Sequence, residues 1–446
     1  MDKMKVMLSS LGCDKNLVDS EMMLGILLDN GFEYTGDENE ADIIVVNTCS
    51  FILDSKQESI DTLIEYGQLK KTGKLKLLVC AGCLAQRYPG DIKKELPEVD
   101  IIIGTTAFDK IAEAVNSYFD NKEKECILKI DDIDKKLIYG KRRELSAGSF
   151  YAYLKIAEGC DKKCTYCAIP GIRGLYRSVP MDVLVNEAKS LADQGVKELI
   201  LVAQETTLYG TDIYGKKMLH ELLKKLCIID GIEWIRVMYC YPEEIYDELI
   251  DTIASEKKIC HYLDIPIQHS DDRILQKMGR RTNEKYLREL ITKLRDRIPD
   301  IAVRTTVITG FPGETDEEAE NLVSFVKDMR FERLGAFTYS PEDGTIAADM
   351  DGQVDEDIKA ARKEKIMLLQ QEIAFEKAES LIGKTLPVII EGRLDDGALV
   401  GRTYMDAPDV DGYVFIDSDL DLESGKVMDV RITGSNEYDL IGEFLQ

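Results

Sequence analysis

The run Glu158-Gly-Cys-Asp-Lys-Lys-Cys-Thr-Tyr-Cys-Ala-Ile-Pro170 places Cys160, Cys164 and Cys167, here called the barrel triplet, within eight residues. Three thiolates can bind three irons of a cubane cluster and leave the fourth iron open, whereas an enclosed structural cluster normally takes four cysteines. The spacing therefore predicts a cluster that binds a further ligand. A zinc site with a remote fourth ligand and a chance grouping are the alternatives. Zinc sites usually arrive as paired CxxC elements, and no second pair follows within reach.

The barrel triplet lies in a region that alternates strand-like and helical segments from Tyr151 to about Ser340. The expected strands are residues 153–157, 198–203, 235–239, 263–266, 303–309 and 334–338. Helical stretches such as 181–194 and 315–329 separate them. This alternation is typical of a parallel sheet, and six units are two fewer than the eight of a closed barrel. We therefore predict a partial (β/α)6 barrel with one open side, which suits a bulky substrate.

Residues 1–120 show a similar alternation with shorter segments. Apolar runs predict strands at 5–9, 42–47, 75–80 and 100–103, and amphipathic stretches predict helices at 17–30, 52–69 and 107–119. Cys13, Cys49 and Cys83, here called the sheet triplet, each follow one of these strands. Because the carboxyl ends of parallel strands lie at one edge of a sheet, we expect the three cysteines to meet there. The alternative is that each is an ordinary buried cysteine.

Cys80 and Cys83 also form a CxxC pair, and a thioredoxin-like redox pair is the competing interpretation. Cys80 lies inside an apolar run, whereas Cys83 follows it in a glycine-containing turn, so Cys83 is the better metal ligand. The remaining cysteines have no matching partners and are interpreted as structural: Cys126, Cys227, Cys240 and Cys260. The three histidines form no acid–base group. We therefore assign no catalytic residues beyond the cluster ligands.

The rest of the chain predicts a connector and a small β-domain. Residues 355–380 form a long charged helix, and five short strand-like runs follow at 385–391, 398–402, 413–417, 427–432 and 440–444. Five short strands divided by turns are typical of an OB-like antiparallel barrel. The predicted domains of this α/β protein are residues 1–120, a charged linker at 121–145, the partial barrel at 146–375 and the terminal barrel at 381–446.

The net charge of −26 over 446 residues opposes binding to nucleic acid, because phosphate recognition needs a basic surface. Residues 381–446 alone hold 14 Asp or Glu against 5 Lys or Arg. The candidates for a local basic patch are Lys141, Arg142, Arg143, Arg173 and Arg177. The acidity favours a basic macromolecular partner. With no run of 18 apolar residues, we expect no membrane span, no signal peptide and a cytoplasmic location.

Three polar residues lie in segments where a barrel of this kind presents its active face. Glu205 follows the strand at 198–203 and is placed to receive an ammonium group. Gln268 follows the strand at 263–266. Arg304 lies in the segment that ends at Gly313, and its planar fork matches a carboxylate. Each residue has an equally good structural interpretation as turn chemistry.

The order of a cysteine-bearing sheet domain, a CxxxCxxC barrel and a small terminal barrel resembles the methylthiotransferase family of radical S-adenosylmethionine enzymes over nearly the whole chain. Four segments are similar to the branch that modifies the twelfth small-subunit ribosomal protein (RimO type). They are Ser10-Leu-Gly-Cys-Asp-Lys-Asn-Leu-Val-Asp-Ser-Glu21, Ile156-Ala-Glu-Gly-Cys160, Pro266-Ile-Gln-His-Ser270 and Ala407-Pro-Asp-Val-Asp-Gly412. The first segment departs at Asp14, where that branch usually has proline.

The resemblance implies two 4Fe–4S clusters and two molecules of S-adenosylmethionine per turnover. The barrel triplet would bind the cluster that cleaves S-adenosylmethionine to a 5′-deoxyadenosyl radical, and this radical would remove a hydrogen from the β-carbon of a target aspartate. That carbon–hydrogen bond is unactivated, so the chemistry has to come from a cofactor. The sheet triplet would hold an auxiliary cluster whose open iron carries the sulfur. The residues expected to contact S-adenosylmethionine are Tyr166, Glu205, Gln268 and Arg304.

The resemblance also implies external partners. An electron donor of the flavodoxin or ferredoxin type would reduce the enzyme, and a sulfur donor would supply the inserted atom. The terminal barrel, of the TRAM type, would dock the ribosomal protein, either free or within the small subunit. The acidity of this barrel agrees with a basic partner, because opposite charges steer association.

Two other functions remain as alternatives. A tRNA methylthiotransferase that acts on a modified adenosine shares both cysteine triplets, but the acidic terminal barrel and the wording of the first segment oppose a tRNA substrate. A non-catalytic iron–sulfur electron carrier would cleave no S-adenosylmethionine. It leaves unexplained why both triplets lack a fourth cysteine.

Overall fold

The structure is a computed structural model that describes residues 3–121, 125–136, 138–145, 150–395 and 397–445. The expected linker at 121–145 and the expected start of the barrel domain at 146 therefore lie partly outside the described residues. Within the described residues, no helix is long and apolar enough to cross a membrane.

The first domain is built on a six-stranded sheet in which every pair of strands is parallel, in the order β2-β1-β3-β4-β5-β6. Its strands are β1 Lys5–Ser10, β2 Glu33–Tyr34, β3 Ile43–Thr48, β4 Leu77–Gly82, β5 Ile101–Ile103 and β6 Ile127–Lys129. Its helices are α1 Asp14–Asp29, α2 Leu53–Thr72, α3 Cys83–Arg87, α4 Pro89–Glu95 and α5 Ile111–Asp120, with a 3-10 turn at Phe108–Lys110.

Both faces of this sheet are covered, which explains its continuous apolar strands. Ile43 and Val45 share one core with residues of α1 and α5. Ile44 and Val46 share the opposite core with residues of α2, α3 and α4. The expected strands are all present. β6 lies inside the stretch that we expected to be a linker. The sequence did not predict this strand, because an edge strand of three residues leaves no sequence pattern.

The second domain is a six-stranded parallel sheet in sequential order, β7-β10-β11-β12-β13-β14, and β7 and β14 form its two open edges. The partial barrel is therefore confirmed. Its strands are β7 Tyr151–Lys155, β10 Glu198–Val202, β11 Trp234–Val237, β12 Ile259–Asp264, β13 Ala302–Thr309 and β14 Arg333–Thr338, with a separate hairpin of β8 Ala157–Glu158 and β9 Arg177–Ser178.

Helices cover one face of this sheet, and the connector helix follows β14. The helices are α6 Ile169–Arg173, α7 Met181–Asp193, α8 Thr211–Tyr214, α9 Leu219–Cys227, α10 Asp247–Ser255, α11 Asp272–Lys277, α12 Glu284–Arg297, α13 Asp316–Met329 and α14 Glu356–Leu381, with 3-10 turns at Pro242–Glu244 and Ile346–Asp349. Leu199 and Leu201 of β10 pack into the helix-covered core. Ile200 and Val202 face the other way and share a core with the third domain.

The third domain is a closed five-stranded barrel in the order β15-β16-β17-β19-β18. Its strands are β15 Thr385–Arg393, β16 Leu399–Thr403, β17 Val414–Ile416, β18 Val427–Asn436 and β19 Asp439–Phe444. The expected five-stranded barrel is thus confirmed, with one parallel pair between β17 and β19 among antiparallel ones. Gly442 lets the strands approach closely, since a Cβ there would lie 2.3 Å from Val430 Cγ1.

Buried charges join the terminal barrel to the inner face of the partial barrel. Glu198 on β10 accepts hydrogen bonds from Arg236 Nε and Arg402 Nη2, each at 2.8 Å, and none of the three residues is exposed. Arg236 Nη1 donates to the carbonyl of Tyr404 at 2.7 Å. Burial alone would raise the pKa of Glu198, but the two guanidinium groups hold it below its ordinary value. The carboxylate is therefore the shared anion of two buried cations.

The segment 403–411, which links β16 to β17, carries further contacts to the partial barrel. Arg333 at the start of β14 pairs with Asp406, and the hydroxyl of Tyr262 on β12 donates to Asp411 at 3.1 Å. The segment Ala407-Pro-Asp-Val-Asp-Gly412 thus lies at an interface between domains.

We expect Glu198→Gln to destabilise this interface by about 3–5 kcal/mol, because it leaves two buried guanidinium groups without their shared anion. Trp234, the only tryptophan, lies in the same interdomain core and reports the loss by its fluorescence during urea unfolding. The control is Glu289→Gln, which removes an exposed pair with Lys285 at 3.8 Å and should change stability by less than about 0.5 kcal/mol. Equal unfolding midpoints for the two variants would contradict the interpretation.

Candidate active site

The sheet triplet lies at the carboxyl ends of three neighbouring strands, as predicted from strand order. Cys13 is the N-cap residue of α1, Cys49 follows β3 directly, and Cys83 is the first residue of α3 after β4. A Cβ built on Gly12, whose φ is +87°, would lie 2.9 Å from Cys49 Sγ, so the backbone before Cys13 touches the second cysteine. Helix N-termini favour anionic ligands, which suits two of the three thiolates.

Cys83 makes polar contacts with two buried side chains. Its thiol donates to Asn16 Oδ1 at 3.8 Å, and Arg173 Nη2 donates to its sulfur at 3.4 Å. Burial raises the pKa of Cys83 to about 11, although the Arg173 guanidinium opposes the rise. Burial also raises the pKa of Cys49. Thiols of this kind keep their protons until a cation replaces them, so thiolate formation is coupled to metal binding.

The barrel triplet lies in the loop between β8 and α6. Cys160 and Cys164 are buried and Cys167 is half-buried. The loop is tied down by backbone hydrogen bonds, from Cys160 N to Gly174 O at 3.0 Å and from Thr165 N to Met278 O at 3.0 Å. Burial raises the pKa of Cys160 to about 11 and that of Cys167 to about 12. In this triplet too, thiolate formation is therefore coupled to metal binding.

Among the described residues, no three donor side chains lie close enough together to hold a single metal ion. A cubane cluster makes a different demand, because each cysteine binds its own iron and the sulfur atoms stand apart. Each triplet supplies one thiol for each of three irons, and all six thiols are buried or half-buried. The donor sets therefore suit two clusters that each leave one iron free.

Glu205 is the clearest unsatisfied group near the barrel triplet. It is completely buried, and its Oε1 accepts hydrogen bonds from the backbone N (2.8 Å) and hydroxyl of Thr207. Its Oε2 has no partner within the described part of the chain. Burial raises the pKa of Glu205 to about 7, and its charge in turn raises the pKa of Cys160. A carboxylate with a free oxygen fits a cationic ligand beside the cysteines.

Tyr166 and Gln268 are two other residues predicted to contact S-adenosylmethionine. Tyr166 packs edge-on against Phe311 at 6.5 Å between ring centroids, one residue before Cys167. Gln268 has a φ of +69°, and its backbone bonds on both sides to β13, from Gln268 N to Thr306 O at 2.9 Å and from Ile308 N to Gln268 O at 2.7 Å. A non-glycine residue held in this conformation is typical of functional positions.

Arg304 is used differently from the expected carboxylate contact. Its Nη1 donates to Asp264 at 3.0 Å, and its Nε lies 3.7 Å from Asp411 of the terminal barrel. The guanidinium therefore already joins two domains through buried carboxylates. A direct role toward S-adenosylmethionine stays a prediction that competes with this pairing.

Arg280 is a residue that sequence reasoning missed. It is buried, its guanidinium lies 4.2 Å above the ring of Tyr241, and its Nη2 donates to Pro266 O at 2.9 Å. Its Nε and Nη1 have no partner among the described residues. The hydroxyl of Tyr241 is 3.3 Å from Cys164 Sγ. The sequence offers no signal for Arg280, because it lies in an ordinary loop after α11.

A buried ion network, here defined as Asp19, Lys155, Glu158 and Arg173, links the two triplets. Arg173 Nη1 donates to Asp19 at 2.8 Å and to Glu158 at 3.1 Å, and Lys155 Nζ donates to both carboxylates, 2.9 Å from Glu158. Burial alone would raise the pKa of Glu158, but the two cations hold it well below its usual range. Because Asp19 lies on α1 and Glu158 two residues before Cys160, the network connects the two domains at the cysteines.

Most candidates for a basic patch form ion pairs with carboxylates of the same chain. Arg142 pairs with Asp29 and Glu144, Arg143 is buried with Glu21 and Glu187, and Arg177 pairs with Asp134. Arg173 belongs to the ion network. These four arginines therefore offer little charge to phosphate groups, which agrees with the overall acidity.

Three family models match separate parts of the chain. The Radical SAM superfamily matches residues 154–326, the TRAM domain matches 382–445, and a family described as "Uncharacterized protein family UPF0004" matches 5–104. All three ranges lie inside the predicted domains, whose boundaries stay predictions.

Solved structures share the fold at low sequence identity. The radical S-adenosylmethionine methyltransferase TsrM from Kitasatospora setae, solved with cobalamin and a [4Fe-4S] cluster bound, matches with a TM-score of 0.55, 15% identity and coverage of 76% of this chain and 74% of its own. The cobalamin-dependent S-adenosylmethionine radical enzyme OxsB matches with a TM-score of 0.53 and 12% identity, over 82% of this chain and 56% of its own. At these identities the matches establish the fold alone.

Curated relatives match over nearly the full length. The protein named ribosomal protein uS12 methylthiotransferase RimO in Lachnoclostridium phytofermentans is 60% identical over 440 residues, covering 98% of this chain and 99% of its own. Proteins of the same name in Clostridioides difficile and Acetivibrio thermocellus are 47% and 48% identical, each over 99% of both chains. This chain therefore belongs to the radical S-adenosylmethionine methylthiotransferases of the RimO family.

Proposed function

We propose that this protein is a methylthiotransferase that inserts sulfur and a methyl group at the β-carbon of an aspartate in ribosomal protein uS12. The observation that carries this proposal is the placement of two cysteine triplets on two domains that one buried ion network holds together. A single triplet would support only a radical initiator. The second supplies a separate open iron site for sulfur.

Each triplet has its own role in this proposal. The barrel triplet would hold the cluster that binds S-adenosylmethionine, and the sheet triplet would hold the auxiliary cluster. When bound, these groups supply reductive cleavage of S-adenosylmethionine and a sulfur atom for transfer. The chain contributes burial, which excludes water from the thiolates, and the ion network, which fixes the distance between the two sites.

Glu205 would receive the ammonium group of S-adenosylmethionine, because its Oε2 is buried and has no partner in the described structure. Tyr166 and Gln268 would contribute the surrounding wall. Arg304 could reach a carboxylate only by loosening its pairing with Asp264, whereas Arg280 has two nitrogens, Nε and Nη1, without a partner among the described residues. We therefore propose Arg280, in addition to Arg304, as a candidate partner for the carboxylate of S-adenosylmethionine.

The surface charge supports a basic protein as substrate. Among the described residues, the ion pairs with the partial barrel use one cation of the terminal barrel, Arg402, and two of its carboxylates, Asp406 and Asp411, so the rest of this domain keeps the acidic excess of its composition. An acidic surface steers a basic ribosomal protein toward the enzyme and repels tRNA. An electron donor of the flavodoxin or ferredoxin type and a separate sulfur donor complete the proposed reaction, which we place in the cytoplasm.

Replacing each triplet by alanine should separate the two roles. After anaerobic reconstitution, we expect about eight irons per wild-type chain and about four in either triple variant. Loss of Cys160, Cys164 and Cys167 should abolish formation of 5′-deoxyadenosine. Loss of Cys13, Cys49 and Cys83 should retain it but abolish sulfur insertion into a uS12 loop peptide, as read by mass.

The matched controls are Cys80→Ala and Cys126→Ala, which remove cysteines that are not proposed ligands. Both should retain full iron content and both activities. Iron loss in Cys80→Ala equal to that in Cys83→Ala would overturn the assignment of the sheet triplet.

Glu205→Gln should weaken binding of S-adenosylmethionine and flatten its dependence on pH. The pKa of about 7 means that protonation competes with the ammonium below neutral pH, so affinity should fall about tenfold from pH 8 to pH 6. Isothermal titration in buffers of different ionisation enthalpy measures the proton released on binding. The same pH dependence in wild type and Glu205→Gln would exclude this role.

A direct competition tests the substrate. The reconstituted enzyme receives a uS12 loop peptide and an anticodon stem-loop in one reaction with S-adenosylmethionine and a reductant. We expect the methylthio mass increase on the peptide and none on the RNA, because the acidic surface repels phosphate groups. Modification of the RNA alone would overturn the proposed substrate, and absence of 5′-deoxyadenosine would overturn the reaction class.

A further inference from the structure

We propose that Arg173 is a positioning residue with two tasks. Its Nη2 donates a hydrogen bond to the sulfur of Cys83 and thereby raises the reduction potential of the auxiliary cluster. Its Nη1 pairs with Asp19 and Glu158 and thereby holds the sheet domain against the barrel domain. This inference rests on the proposed assignment of Cys83 as a cluster ligand. It gives Arg173 a second role, in addition to its part in the ion network of the function proposed above.

The position of Arg173 is unusual for a cation. It is the last residue of α6, six positions after Cys167, and its side chain is 2% exposed. From the barrel domain it reaches into the sheet domain, where Nη2 donates to Asn16 Oδ1 and lies 3.4 Å from Cys83 Sγ. One side chain thus starts beside the barrel triplet and ends at the sheet triplet.

The two ends of the guanidinium perform separate tasks. Nη1 donates to Asp19 and to Glu158, which together with Lys155 gives two buried cations against two buried anions. This end alone is a sufficient clamp between domains. Nη2 adds no contact to a carboxylate and instead donates to an amide oxygen and a sulfur. A purely structural ion pair does not explain that second contact.

A hydrogen bond to a ligand sulfur changes the electronic state of a cluster. Reduction adds negative charge to the cluster, and N–H donors and buried positive charge stabilise the reduced form. The effect is strong here, because the surroundings of Arg173 are buried and screening by water is weak. Arg173 therefore acts on the auxiliary cluster through Cys83 and contacts no reacting atom itself.

The test uses the full-length chain with Cys160, Cys164 and Cys167 replaced by alanine, so that only the auxiliary cluster is reconstituted. Arg173→Lys keeps the charge but cannot reach both Asp19 and Cys83 with separate nitrogens, and Arg173→Gln also removes the charge. An EPR-monitored redox titration measures the midpoint potential of each. We expect about a tenfold shift of the reduction equilibrium toward the oxidised cluster in Arg173→Lys, about 59 mV for one electron, and a larger shift in Arg173→Gln.

The matched control is Arg143, a second buried arginine between the same domains. It donates to Glu21 of α1 and to Tyr153 O of β7, each at 2.6 Å, and none of its described hydrogen bonds involves a cysteine. Arg143→Lys should reduce thermal stability as Arg173→Lys does, but it should leave the midpoint potential at the wild-type value. A structural role alone predicts the same result for both arginines.

The outcomes distinguish the inference from the ligand assignment. A lowered midpoint potential in Arg173→Lys, with an unchanged potential in Arg143→Lys, supports the inference. If the Arg173 variants keep the midpoint potential of the parent chain, the inference is wrong. If Arg173→Gln does not fold, Arg173→Lys decides alone. If the parent chain binds no cluster, the assignment of the sheet triplet fails first, and the inference fails with it.

Discussion

Four charged side chains, Asp19, Lys155, Glu158 and Arg173, are buried where the sheet domain meets the partial barrel. A buried charge without a partner costs several kcal/mol, so each of these groups requires the others in place. Asp19 belongs to α1, which begins directly after Cys13. Arg173 is the last residue of α6, six positions after Cys167. The requirement for charge pairing thus sets the register in which the two domains meet. The distance between the proposed clusters follows from that register.

A second set of buried charges performs the equivalent task for the terminal barrel. Glu198 receives Arg236 from its own domain and Arg402 from the terminal one, and the segment 403–411 packs against the inner face of the partial barrel. One consequence concerns function. The terminal barrel holds 14 Asp or Glu against 5 Lys or Arg, and among the described residues the ion pairs of this interface use one of its cations and two of its carboxylates, so the surface left for a partner is acidic. Such a surface suits a basic ribosomal protein better than a nucleic acid.

Much of the fold could be predicted from sequence because parallel strands covered on both faces leave continuous apolar runs. β3 and β10 were recognisable on this ground within one residue. β2 and β6 were not, because edge strands of two or three residues leave no pattern. The two cysteine triplets, as candidate ligands, were recognisable from spacing and from their place after strands. Arg280 was not, because nothing near it in the sequence distinguishes a buried arginine from an exposed one.

The sequence by itself determined the candidates for the cluster ligands, because the spacing of Cys160, Cys164 and Cys167 is local and strand order places the sheet triplet at one edge. Only the tertiary structure decided what the arginines do. Arg173 was a candidate for a basic surface patch, yet it is buried against Cys83 and Asp19. Arg304 was a candidate ligand contact, yet it faces Asp264 and Asp411. Burial and pairing depend on residues that are distant in sequence, and composition carries no record of which charges meet.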